Sequence, residues 1–175
     1  MSIGLFILRL VIGLLFMGHG AQKLFGILGG GGPSGTGAQF ESIGLRPGRR
    51  NAFIAGLGEF VGGLLVLLGW FTPLGAAAII AVMVAAIWTV HGQNGLWVSD
   101  GGFEYHLVVI AAVFALAGVG AGKWSLDQAL SFADNGAGWA IGAAVVGVLA
   151  GAGAVLSARG YEQPERGRPP HATTA

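Results

Sequence analysis

Residues 3–25 read IGLFILRLVIGLLFMGHGAQKLF, an apolar segment long enough to cross a bilayer as a single helix. Four polar side chains interrupt it: Arg9, His19, Gln22 and Lys23. An ionisable group at the centre of a membrane helix costs about 2.5–3.5 kcal/mol on insertion scales and is rarely tolerated without a partner. Arg9 and Lys23 fall on one stripe of this helix at helical spacing. We therefore expect the other helices to pack against that stripe.

The composition of the whole chain indicates a polytopic membrane protein. Of its 175 residues, 54% are hydrophobic and only 10% are charged, and the mean hydropathy is +0.73. Soluble domains carry about 25% charged residues. The net charge of +1 gives no reason to expect nucleic acid as a partner. The chain contains no cysteine, which excludes disulfides, thiol exchange and iron–sulfur ligation by its own side chains.

The predicted fold class is all-α, a polytopic four-helix membrane bundle followed by a fifth C-terminal transmembrane helix. The predicted spans cover residues 3–25, 51–70, 73–90, 103–119 and 138–158. Residues 1–130 form the predicted bundle, residues 131–158 the additional helix, and residues 159–175 a disordered cytoplasmic tail. Ser125 is placed to cap a short helix over residues 126–130. The glycine-rich run 29–35 disfavours a helix, and residues 39–45 are expected at the membrane interface.

Basic residues predict the orientation in the membrane. With five spans, one side holds Lys23, Arg46, Arg49, Arg50, Arg159, Arg166 and Arg168. The other side holds only Lys123. By the positive-inside rule, the basic side is cytoplasmic, with the N-terminus outside and the C-terminus inside. The expected location is the plasma (inner) membrane of a prokaryote.

Polar residues from separate spans converge near the basic side when the helices cross the bilayer alternately. The candidates for a ligand or proton site are Arg9, His19, Lys23, Glu59, His91, Asn94 and Glu104. Glu59 lies eight residues into the second helix, about 12 Å deep. Glycines at positions 56, 62 and 63 would let a neighbouring helix approach and bury this carboxylate. His19 and Lys23 are the expected partners, and Arg9, although nearer the outer side, has a side chain long enough to be a third.

Two interpretations of this cluster remain open. A buried pair of Glu59 with a basic residue would serve packing if it only fixed the register of the helices. It would serve function if it lay in a polar pocket for a small ligand or on a proton path. No metal site is predicted, because His19, Glu59, His91 and Glu104 lack the close spacing typical of ligands. His91 and His106 are expected at the interface.

Several short motifs together resemble the DoxX family of small integral membrane proteins. The resemblance covers residues 3–130. It rests on Leu8-Arg9-Leu10, Gly18-His19-Gly20, Lys23-Leu24-Phe25-Gly26, Gly58-Glu59, Gly62-Gly63, Thr72-Pro73, Asn94-Gly95, Glu104-Tyr105 and Gly122-Lys123-Trp124-Ser125. The chain departs from the family pattern after residue 136, where the fifth apolar segment is added.

The resemblance implies a compact membrane bundle that serves a quinone-linked redox complex as a subunit or accessory protein. It implies no covalently bound cofactor, and quinone is the expected ligand. If the protein is an enzyme, it would be an oxidoreductase subunit acting with a partner. The expected partners are the lipid bilayer and a membrane or peripheral redox protein, with a homo-oligomer left open. Two alternatives are a non-catalytic assembly or binding module, whose buried charges fix helix packing, and a small-molecule or proton carrier.

Overall fold

The computed structural model describes residues 2–132 and 134–161, and in these ranges the regular structure is entirely helical. The α-helices are α1 Ser2–Phe25, α2 Gly32–Ser42, α3 Gly48–Leu68, α4 Thr72–Ala86, α5 Glu104–Val119, α6 Leu126–Ala129 and α7 Ala137–Arg159. The predicted fold class is therefore confirmed. Most of the predicted tail, from residue 162 onward, lies outside the described residues.

In the part of the chain that the structure describes, four helical segments are long and apolar enough to cross a membrane: Ile3–Phe25, Gly48–Leu68, Thr72–Asn94 and Ala137–Arg159. The third is α4 extended by a π-turn over Ile87–His91 and a 3-10 turn over Gly92–Asn94. Helix α5 is apolar but has only 16 residues, about 24 Å at 1.5 Å per residue. Its shorter length leaves room at its N-terminus for the loop that follows the π-turn.

Helix α2 corrects the expectation of a helix-free glycine loop. Pro33 occupies its first turn, where the missing amide hydrogen costs no helical hydrogen bond. Its glycines then permit a close contact with the next helix, because a Cβ added to Gly37 would lie 2.7 Å from the Arg49 nitrogen. The Gly48 amide also donates to the Glu41 carboxylate at 2.9 Å. Tertiary contact thus supports a helix that local propensity alone opposes.

Glycines set the distance between α1 and α3, the helices that carry the buried charges. A Cβ added to Gly20 would lie 2.5 Å from the Phe60 nitrogen, and one added to Gly13 would lie 2.8 Å from the Gly63 carbonyl oxygen. The two backbones therefore touch directly, as small residues allow in membrane bundles. Gly62 faces α4 instead, with 3.0 Å between its added Cβ and that of Ala78.

Helix α7 packs on α4 in the same manner. A Cβ added to Gly147 would lie 2.7 Å from the Ile80 Cβ, and one added to Gly151 would overlap the Ala81 carbonyl oxygen. At its C-terminal end, the Ala158 carbonyl accepts a hydrogen bond of 2.9 Å from the Arg46 amide. Helix α7 is therefore an integral wall of the bundle rather than a detached anchor.

Arg9 is the centre of one end of the bundle, which we call the Arg9 end. Its guanidinium donates four hydrogen bonds of 2.6–3.1 Å to backbone carbonyls. The acceptors are Val66 and Leu67 in the last turn of α3, and Ala121 and Trp124 in the connector after α5. A cation there also complements the negative end of the α3 dipole. Arg9 thus ties three segments of the chain together.

Asp127 supplies the complementary acidic group at the Arg9 end. Its carboxylate accepts hydrogen bonds from the Phe71 amide at 2.7 Å and from the Thr72 amide and hydroxyl at 3.2 and 2.6 Å. It therefore caps the N-terminus of α4, where unpaired amides favour an anion. The predicted cap of α6 is confirmed, because the Ser125 hydroxyl accepts from the Gln128 amide.

Candidate functional site

Glu59 and Lys23 form a salt bridge inside the other half of the bundle, which we call the Glu59 end. The Lys23 ammonium donates to Glu59 Oε1 at 2.9 Å and lies 2.8 Å from Oε2. Glu59 is 4% exposed, whereas the Lys23 side chain is 21% exposed. The close approach of α1 to α3, with an added Gly56 Cβ only 2.9 Å from the Lys23 Cβ, buries the carboxylate. The expected pairing of Glu59 with Lys23 is confirmed.

A cavity of about 710 Å³ lies beside this ion pair. Side chains from α1, α3, α4, α5 and α7 and from the segment between α2 and α3 line it. The lining is largely apolar, and its polar members include His19, Lys23, Glu59, His91 and His106. Ligand pockets in proteins commonly measure 300–1,000 Å³ and combine an apolar lining with a few polar groups. The cavity has the size and character of such a pocket.

Unpaired polar atoms border the cavity. In the described part of the chain, four buried side-chain atoms lack a hydrogen-bond partner, and three of them belong to lining residues: Asn51 Nδ2, Glu59 Oε2 and His106 Nδ1. Glu59 Oε2 lies near the lysine but outside its hydrogen-bonding direction. Leaving a buried polar atom unpaired costs about 1–3 kcal/mol, so a ligand that paired with these atoms would recover part of that energy.

His91 and His106 face each other across the N-terminus of α5. Their ring centroids are 4.3 Å apart, and His91 Nδ1 lies 2.7 Å from the Gly101 carbonyl oxygen. His106 is 7% exposed, so it lies deeper than the interface position expected from the sequence. The burial follows from the placement of α5, whose buried face continues through Val109 and Val113.

Asn94 and Glu104, two further candidates, organise the loop rather than the cavity. Asn94 Nδ2 donates to the Gly101 carbonyl at 3.2 Å, and Glu104 Oε2 accepts from the Val98 amide at 3.1 Å. Neither residue lines the cavity. His19 does line it but is exposed, with Nδ1 3.3 Å from the Gln22 side-chain oxygen.

Arg9 does not join Glu59, which corrects its inclusion in the sequence-based cluster. Arg9 and Lys23 are fourteen residues apart on α1, or about 21 Å along the helix axis. All four hydrogen bonds of Arg9 are made at the opposite end, to carbonyls left free at the end of α3 and in the α5–α6 connector. Free carbonyls near the end of a helix proved a better partner than a distant carboxylate.

The site candidates named from the sequence did not include Asn51, Tyr105 or His106, which all line the cavity. Tyr105 and His106 follow Glu104 directly, so their position at the start of α5 was a usable signal. Asn51 lies eight residues before Glu59 on α3, and nothing in its local sequence marks it. Within residues 2–132 and 134–161, no group of three or more acidic or histidine side chains is arranged to hold a metal ion.

Comparison with known proteins identifies the family. The DoxX family model matches residues 4–92. The uncharacterized membrane protein Rv3486 of Mycobacterium tuberculosis is 32% identical over 136 residues, which cover 71% of this chain and 79% of the relative. The chain belongs to the DoxX family. A Bacillus subtilis relative, named "Putative oxidoreductase CatD", is 32% identical over 117 residues, which cover 67% of this chain and 81% of the relative. No solved structure matches.

The matched DoxX region holds Lys23, Glu59 and His91 but ends before α5 and α7. The ion pair is therefore part of the DoxX region, whereas His106 and the α7 wall of the cavity lie beyond the residues that the family model matches.

Proposed function

We propose that this DoxX protein is a subunit or accessory protein of a membrane redox complex and offers its cavity to a quinone. The observation that carries the proposal is a buried Lys23–Glu59 ion pair on the wall of a largely apolar cavity of about 710 Å³. The name of the Bacillus subtilis relative supports a redox setting. A quinone, when bound, would carry electrons and protons within the lipid phase.

The residues present fit the polar ring and apolar tail of such a molecule. Asn51 Nδ2 and His106 Nδ1 are unpaired atoms that a ring oxygen or hydroxyl could meet. Glu59 Oε2 is an acceptor and could take a hydrogen bond from a hydroxyl. Lys23 holds the carboxylate in place at 2.8–2.9 Å and balances its charge. Glu59 is consequently positioned to accept or release a proton at Oε2 inside a water-poor pocket.

The test is binding of decylubiquinone to the full-length protein in lipid nanodiscs, measured as probe retained after gel filtration. We expect Glu59→Gln to lower the affinity about tenfold, since one charged hydrogen-bond acceptor is worth about 1.5 kcal/mol or more. Glu104→Gln is the matched control, because this carboxylate lies at the same end of the bundle but does not line the cavity.

Equal affinity in both variants, or no retention by the unaltered protein, would reject the quinone site. A Glu59→Gln variant that no longer folds, judged by its thermal transition, would instead favour the packing role of the ion pair. In that case Lys23→Met/Glu59→Met provides the second measurement, because removing both charges leaves no unpaired ion.

We further propose that the Glu59 end faces the cytoplasm. Arg46, Arg49 and Arg50 are exposed beside the start of α3, at the same end as the ion pair. An excess of basic residues in a short loop favours the cytoplasmic side. A fluorescent reporter fused after Ala175 should be active, whereas an alkaline phosphatase fused there should be inactive. The reverse pattern would place the basic loop outside the cell.

A further inference from the structure

The surface of α7 carries two neighbouring stripes, one buried and one exposed, and both reach the cavity, since Gly151, Val155 and Ala158 of the buried stripe also line it. The first stripe is buried and contacts α4 and the Leu45 region: Gly147, Gly151, Val155 and Ala158. The second stripe borders the cavity and is exposed: Ala150, Gly153, Ala154 and Ser157. Residues that both line a cavity and remain exposed lie where that cavity reaches the surface of the bundle.

The opposite flank of this opening combines apolar residues with Arg50, which lines the cavity and is exposed at the start of α3. Ile43 and Ile54 line the cavity while remaining 39% and 53% exposed. Leu45 packs with Val155 and Ala158, and so joins the two flanks at the C-terminal end of α7. Ile54 and Gly153 lie within segments long and apolar enough to span the membrane. The part of the opening that Ile54 and Gly153 border therefore lies on two helices that are expected to span the bilayer, whereas Arg50 marks its polar end.

We infer that this opening is a lateral entrance through which an amphiphile dissolved in the bilayer reaches the polar atoms beside Glu59. The exposed stripe of α7 then sets the width of the entrance. Gly153 is the position to test, since it lines the cavity and an added Cβ there meets nothing within 4 Å, so a larger side chain can be introduced without a clash. The occupant is a single-tailed molecule, with an apolar chain in the entrance and a hydrogen-bonding head near Glu59 and His106.

The inference rests on the proposed ligand site but adds a separate claim about the route. It gives α7, which lies beyond the matched family region, a role in selecting the ligand. His106 Nδ1, which is buried and has no hydrogen-bond partner, indicates that a polar group belongs at the inner end of this route.

The experiment compares Gly153→Leu with Gly142→Leu in the full-length protein in nanodiscs. An added Cβ at Gly142 also meets nothing within 4 Å, and this glycine is exposed on the same helix without lining the cavity. Both substitutions therefore change the helix propensity and lipid-facing surface alike, and only the first narrows the entrance. Two probes are used: decylubiquinone, and the same ring without its decyl tail, which dissolves in water.

We expect Gly153→Leu to slow the association of decylubiquinone about tenfold, because the longer side chain would occupy part of the space that the decyl tail must cross. Gly142→Leu should leave the rate unchanged, and the tailless ring should bind both variants alike. Ala154→Leu, on the same stripe, should reproduce the slowing if Gly153→Leu alters the thermal transition.

Three results would contradict the proposed lateral entrance. Decylubiquinone could associate at the same rate with both variants while still binding the unaltered protein, in which case the site remains and the route is wrong. The tailless ring could be slowed as strongly as the tailed probe, which would place the entrance in water. Failure of the unaltered protein to bind decylubiquinone would reject the proposed site itself, and the route with it.

Discussion

The most direct test of the architecture is the replacement of Arg9 by methionine. Arg9 is 1% exposed and donates four hydrogen bonds to backbone carbonyls of α3 and of the connector between α5 and α6. A net value of about 1 kcal/mol for each bond gives a loss of about 4 kcal/mol in the free energy of unfolding. The smaller value measured between membrane helices, about 0.6 kcal/mol each, gives about 2.4 kcal/mol.

The assay is reversible unfolding in mixed micelles, with the population of folded protein followed by circular dichroism. Leu10→Met is the matched control, because this neighbour is 36% exposed and its replacement preserves an apolar side chain. Arg9→Lys should lie between the two, since one ammonium keeps the charge but cannot reproduce the planar fork that reaches four acceptors. A loss below about 1 kcal/mol for Arg9→Met would refute the role assigned to Arg9.

Arg9→Met also separates the two ends of the bundle. If Arg9 serves architecture alone, the folded variant should bind decylubiquinone with the affinity of the unaltered protein, because residue 9 lies about 21 Å from residue 23 along the axis of α1. A tenfold weaker affinity in the folded variant, about 1.4 kcal/mol, would show that Arg9 contributes to ligand binding.

Three further predictions concern packing, capping and pH. Gly20→Ala should lower the free energy of unfolding by about 1–3 kcal/mol, because its Cβ would lie 2.5 Å from the Phe60 nitrogen. Gly4→Ala should not lower it, since an added Cβ there meets nothing within 4 Å. Equal effects of the two substitutions would contradict the close contact of α1 and α3. Asp127→Ala should lower the free energy of unfolding by about 2–3 kcal/mol in thermal or denaturant unfolding, since three donors at the start of α4 lose their acceptor. An unchanged stability would contradict the capping role of Asp127. Burial, and then the charge of Asp127, raise the pKa of Asp134 in the connector before α7, so the folded protein binds a proton more readily than the unfolded chain. The free energy of unfolding should therefore fall as the pH rises above the usual aspartate range. Asp134→Asn should flatten that dependence in unfolding measured from pH 3 to 7, and an unaltered slope would contradict the prediction.

The sequence determined much of the bundle before any packing was considered. Apolar segments of membrane length predicted the long helices and their approximate ends, since a backbone in lipid must pair its hydrogen bonds within each helix. Glu59 amid glycines on the second long helix predicted a buried carboxylate, and the alternating direction of the spans brought Lys23 to the same depth. These inferences needed only helical periodicity and the cost of burying charge.

Other features depended on contacts between distant segments. Helix α2 forms in a glycine-rich run because the start of α3 packs on it, which propensity could not reveal. Arg9 was grouped with Glu59 because both are charged, but its partners are backbone carbonyls, which every residue has and which leave no mark in the sequence. The sequence likewise carries no local mark of the position of Asn51 beside the cavity, or of the cavity itself.

A cavity is the space that several helices leave between them, so its lining depends on the rotation and separation of those helices. Sequence periodicity defines the faces of a single helix but not which face of α7 meets α4 and which borders open space. The chain therefore specified by itself a membrane bundle with a buried ion pair. Only the tertiary structure decided that this pair borders a cavity, and that exposed small residues of α7 lie on the wall of that cavity.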